Sequence, residues 1–106
     1  MIFSLQEKEY LFADISGIEL NGYLQKTRLI LDVTVYPKNA QQFRLFDSGN
    51  LPTNAELNVL RFLKQQHIPI SIIQLPSERD YERIKVDDQN ADEARNIFEE
   101  IEKIVH

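Results

Sequence analysis

The chain has 106 residues, 42% hydrophobic and 27% charged, with a net charge of −5 and no cysteine. That length holds one hydrophobic core, about two-thirds of the unfolded surface being hidden on folding, and the composition is globular rather than disordered. The absence of cysteine excludes thiolate catalysis, thiolate metal sites and disulfide staples.

A small secreted domain often carries disulfides, so their absence points to the cytoplasm. Met1–Lys8 lacks the basic start and long apolar run of a signal peptide. No stretch is long enough to span a bilayer, so no membrane is expected among the partners. Residues 1–76 hold seven acids against seven bases, whereas residues 77–106 hold ten acids against five bases. The whole net charge therefore lies in the last third, where it repels phosphates and suits a basic protein partner better than nucleic acid.

No repeat, low-complexity tract or Gly/Pro-rich linker interrupts the sequence, so residues 1–106 read as a single α+β domain. Phe3 and Leu5 alternate with polar neighbours, as in a strand. Tyr10–Ile15 is apolar at both parities, which predicts a strand covered on both faces and central in its sheet. Asn21-Gly22 carries the strongest turn signal and predicts a tight hairpin joining Ile18–Leu20 to Tyr23–Gln25. Over Arg28–Tyr36, Leu29, Leu31, Val33 and Val35 form a period-two apolar face.

Pro37–Ala40 breaks the pattern and Gln41–Phe46 resumes it, which completes an antiparallel meander of three to four strands. After a loop at Asp47–Pro52, Thr53-Asn54-Ala55-Glu56 has the capping-box pattern and opens a helix to Gln66. That helix is expected to bury Leu57, Val59, Leu60, Phe62 and Leu63. His67 falls at its negative end.

Ile68–Leu75 reads as a strand, with Pro69 tolerable at its beginning and Pro76 closing it. Residues Ser77–Gln89 read as a loop with a brief edge strand at Ile84-Lys85-Val86, a helical turn at Ser77–Asp80 being the alternative. Asn90 starts a terminal helix in which Ala94, Ile97, Phe98, Ile101, Ile104 and Val105 form one stripe. The helices are expected mainly on one face of the sheet.

Candidate functional residues are few. With a tight turn at Asn21-Gly22, Asp14 falls opposite Leu29 and points into the core, where an unpaired carboxylate is costly. A β-bulge at Ser16-Gly17 would instead shift the register and turn Asp14 outward. Asp14 on a strand, Glu56 in the first turn of the following helix and Glu78 just after the next strand resemble, over Tyr10–Tyr81, the order of carboxylates in the ribonuclease H-like fold. The resemblance implies a metal-dependent nuclease, or a degenerate relative, in which such carboxylates gather two divalent metals around a phosphodiester. The chain departs from that pattern in two places: Ile15-Ser16-Gly17 follows Asp14 in place of a Gly-Ser run, and Glu78 stands where an Asp is usual.

His67 and His106 have no acidic ligand at metal-like spacing, and no phosphate loop or nucleophile elbow is present, so no cofactor is expected. The remaining candidates are partner-binding. Asp87, Asp88, Asp92 and Glu99 belong to the acidic last third, where helix-end effects and Arg95–Glu99 and Glu99–Lys103 pairs account for part of the charge. Ile30 and Tyr36 fall on the sheet face opposite Leu29 and Leu31, expected to be apolar and uncovered. The sequence thus favours a non-catalytic protein-interaction module of inhibitor, immunity or adaptor type. The nuclease and an obligate homo-oligomer, a homodimer in the simplest case, are the alternatives.

Overall fold

A computed structural model of the chain describes residues 2–5, 8–46, 51–84 and 90–106, with side-chain detail from residue 13 onward. The fold is α+β. Strands β1 (Ile2–Leu5) and β2 (Lys8–Leu11) form a separate two-stranded antiparallel hairpin. A 3-10 turn at Phe12–Asp14 leads into β3 (Ile15–Gln25), then β4 (Arg28–Pro37) and the short β5 (Phe43–Arg44). Helix α1 (Asn54–Gln65), strand β6 (Ile70–Gln74) and helices α2 (Glu78–Glu82) and α3 (Ala91–Val105) complete the chain.

The four-stranded sheet has the order β5-β4-β3-β6, with β6 parallel to β3 and the other pairings antiparallel. The meander is therefore present, and α1 serves as the crossover that brings β6 in beside β3. A parallel neighbour requires such a long connection, whereas β3 and β4 need only a tight turn.

That turn is not at Asn21-Gly22. Leu24 pairs with Leu29 and Gln25 with Arg28, so the connection is Lys26-Thr27 and Asn21-Gly22 lies in mid-strand. Lys26 takes the positive φ of 58° that the tight reversal requires. Gly22 answers a different need, because a Cβ there would lie 2.8 Å from Cε1 of Phe98 and 3.1 Å from Cδ of Pro76. Its missing side chain lets α3 sit close on the sheet.

The expected bulge is found. The β3–β4 register shifts between Ile15 and Gly17, and the Ser16 hydroxyl donates to the Tyr36 carbonyl at 2.7 Å. The shift keeps both Ile15 and Ile18 in the core. Tyr10–Ile15 is not one central strand: β2 ends at Leu11, and the 3-10 turn separates it from β3.

One sheet face carries Ile18, Leu20, Leu29, Leu31, Val33 and Val35, and α1 and α3 pack on it through Leu57, Leu60, Leu63, Ala94, Phe98, Ile101 and Val105. Leu60 and Ile101 are almost wholly enclosed. Val59 and Phe62, expected inside, lie on the outer side of α1 and are 38% and 42% exposed. The inward stripe of a helix on a flat sheet is narrow, and Leu57, Leu60 and Leu63 at spacing three fill it.

Local signals set the helix ends. The Thr53 amide donates to Glu56 Oε1 at 2.9 Å while the Glu56 amide donates to Thr53 Oγ1 at 3.2 Å, the reciprocal box predicted from the sequence. At the other end, His67 adopts φ 64°. Its amide donates to the Lys64 carbonyl at 3.0 Å and that of Ile68 to the Leu63 carbonyl at 3.4 Å, so the helix closes in a Schellman turn with Leu63 and Ile68 both buried.

Ser77 and Asp80 make a second capping box, at 2.9 and 3.3 Å, and open the short α2. The loop expected at the start of this segment is thus a helix. Ile84 lies in a bend beyond it, and Lys85 and Val86 fall outside the described residues.

Candidate functional site

The three carboxylates of the nuclease reading occupy separate stations. Asp14 is exposed in the 3-10 turn, and its carbonyl accepts from the Lys38 amide at 2.7 Å. Asp14 therefore does not face Leu29 in the core. Glu56 is engaged in the Thr53 box. Glu78 receives Arg95 Nη2 at 2.8 Å. Among the described residues no group of three or more His, Asp or Glu side chains is placed to hold a metal ion.

The acidic last third is partly neutralised from within. Arg95 turns toward Glu78, at 2.8 Å, and Asp92, at 3.2 Å, rather than toward Glu99. Its guanidinium lies over the Tyr81 ring, 4.9 Å from the centroid, and Tyr81 meets Phe98 edge-on at 6.4 Å. The hydrogen bond that Arg95 donates to Glu78 raises the Arg95 pKa, and burial is the main cause raising that of Tyr81. Asp92 also has its amide bonded to Asn90 Oδ1 at 2.9 Å, next to the Glu93 amide at 3.2 Å.

Glu93, Glu99 and Glu102 remain exposed on α3, and none joins an ion pair among the described residues. Asp87 and Asp88 lie outside the described residues. Arg61 and Glu100, 3.3 Å apart, link α1 to α3 beside a hollow of about 300 Å³ that Lys64 and Lys103 also line. Both helices end there, and the two lysines complement their negative ends.

The outer sheet face mixes polar and apolar residues: Glu19, Asn21 and Asp32 lie beside Tyr23, Ile30 and Tyr36, and Ile73 on β6 is 58% exposed. Ile30 is only 5% exposed, which corrects the expectation that it lies uncovered. Asn21 and Asp32 are direct cross-strand partners. The Tyr23 hydroxyl donates to Asp32 Oδ2 at 2.8 Å, and this bond, ahead of burial, raises the Tyr23 pKa. The Oδ1 atoms of Asn21 and Asp32 are shielded and accept no hydrogen bond from the described residues.

Near the bulge the same face opens into a hollow of about 260 Å³ lined by Ser16–Glu19, Tyr36, Pro69 and Ser71. Tyr36 is half-buried there, and its hydroxyl is held by Glu19, the first cause of its raised pKa. Tyr36 was legible as an outer-face residue from strand parity. Glu19 was not, because a single glutamate on an alternating strand looks like any solvated side chain.

Comparison with family models, with curated proteins and with solved structures finds no match. The class that the fold defines is an α+β protein built on a mixed four-stranded sheet, and no helix among the described residues is long and apolar enough to cross a membrane.

Proposed function

We propose that the chain is a non-catalytic protein-interaction module, of inhibitor, immunity or adaptor type, that binds a basic partner protein through the exposed acidic residues of α3. One observation carries the reading: Glu93, Glu99 and Glu102 stay without an ion pair among the described residues, while neighbouring acids are taken up by Arg61 and Arg95. A helix held rigidly by Ala94, Phe98, Ile101 and Val105 presents these carboxylates in fixed positions. Fixed charges of one sign steer a partner of the other and impose salt dependence on the association.

The triple variant Glu93→Lys, Glu99→Lys, Glu102→Lys tests this against the partner recovered with the wild-type chain from its native host. Reversal is expected to weaken the association and to flatten its dependence on ionic strength. Unchanged affinity and salt slope would place the binding surface elsewhere.

A further inference from the structure

The hollow at the bulge has the chemistry of a receptor for one particular side chain. Its floor exists because two small residues meet there: Gly17 faces Tyr36 across the β3–β4 pair, and Ser71 faces Glu19 across the β3–β6 pair. The Ile18 amide donates to the Pro69 carbonyl at 2.9 Å, which ties the start of β6 to the bulge and fixes one rim. The opposite rim is the Tyr36 ring, with Glu19 lining the hollow beside it.

Glu19 forms no ion pair among the described residues, and after receiving the Tyr36 hydroxyl its carboxylate still has acceptor positions open. The hollow thus combines a carboxylate, an aromatic surface and the Ser71 hydroxyl, with no cation lining it among the described residues. A donor-rich cation with a flat face satisfies all of these groups at once. A guanidinium does so, because it can pair with a carboxylate through two parallel N–H bonds and can stack on an aromatic ring.

We propose that this hollow receives an arginine side chain of a partner protein. The proposal rests on the reading of the chain as a module for a basic partner and adds a specificity pocket on a surface separate from α3. The small floor admits the guanidinium, and the Glu19 carboxylate selects its charge.

The test is a titration of the ¹⁵N-labelled full chain with N-acetyl-arginine methylamide, followed by amide chemical shifts. Saturable shifts are expected at Gly17, Ile18 and Ser71. They should be absent with the neutral isostere N-acetyl-citrulline methylamide and weaker by about tenfold or more in Glu19→Gln. Shifts that are absent or scattered over the surface, that match those from citrulline, or that are unaltered in a folded Glu19→Gln variant would each overturn the proposal. Equal binding of N-acetyl-lysine methylamide would overturn the choice of arginine. The citrulline comparison uses the wild-type chain, so a poorly folded variant leaves the test intact. The α3 reversals leave these amides untouched, so either reading can fail alone.

Discussion

A methyl group at Gly22 would stand 2.8 Å from a ring carbon of Phe98, a side chain that is itself only 2% exposed. Neither partner can move freely, since Phe98 is enclosed by the core and Gly22 is locked between β4 and β6. Gly22→Ala is therefore expected to destabilise the fold by about 1–3 kcal/mol, the usual cost of overpacking, as measured by urea denaturation. A tight turn at this position would instead tolerate alanine poorly for backbone reasons and leave α3 unaffected, so near-ultraviolet dichroism of the aromatic cluster separates the two origins. Tyr23 gives a pH signature. Its pKa is raised above the ordinary 10.0 in the folded chain, so its phenol is neutral in both states below that pH and the bond to Asp32 contributes fully. As pH climbs from 10.0 through the folded value, the unfolded chain releases the proton first and stability is lost. Tyr36 and Tyr81 shift in the same direction and add to the slope. Denaturation midpoints measured across the alkaline range should fall less steeply in Tyr23→Phe than in the wild type.

Arg95 joins two elements that adjacent sequence does not pair. From α3 it reaches Glu78 on α2 and covers Tyr81, so the short helix is docked by a cation, a ring and a carboxylate together. Arg95→Gln is expected to lower the thermal midpoint, and Glu78→Gln should add little on that background because both changes remove one contact. Full additivity of the two losses would show that the pair does not act as a unit. The same contacts show where sequence reasoning stops. Periodicity identified β4, α1 and α3, and the box at Thr53 follows from residue type alone, whereas the box at Ser77 lies in a segment whose pattern reads as a loop. Partner choice does not: Arg95 had Glu99 one turn away but found Glu78 seventeen positions back. Strand pattern likewise cannot tell a parallel neighbour from an antiparallel one, and the placement of β6 beside β3 depends on how α1 packs. Asn21-Gly22 misleads for a related reason, since a glycine required by a distant ring has the same letter as one required by a turn. The polar pairs on the outer face, Tyr23 with Asp32 and Tyr36 with Glu19, needed the true β3–β4 register before they came into view. The register in turn depended on the Lys26-Thr27 turn, which no strong turn residue announces.

At the scale of the molecule the sheet has a graded structure. Strands β3 and β4 each have neighbours on both sides, β6 has one described neighbour, and β5 is two residues long. Amide hydrogen exchange should therefore be slowest at the enclosed positions Leu20, Leu31 and Val33 and fastest along β5; uniform protection across the sheet would contradict this gradient. The two edges of β3 are also completed on different schedules. Its pairing with β4 closes across two residues, whereas its pairing with β6 waits for a crossover of more than forty residues that includes α1. Contacts between distant segments form late because the entropy of closing the intervening chain must be met first. During refolding, then, the nascent β3–β4 hairpin carries a bare hydrogen-bonding margin flanked by Ile18 and Leu20, open to any extended segment that arrives before its own. Crowded refolding at high protein concentration should favour intermolecular capture at that margin over monomeric recovery, and dilution should restore the yield.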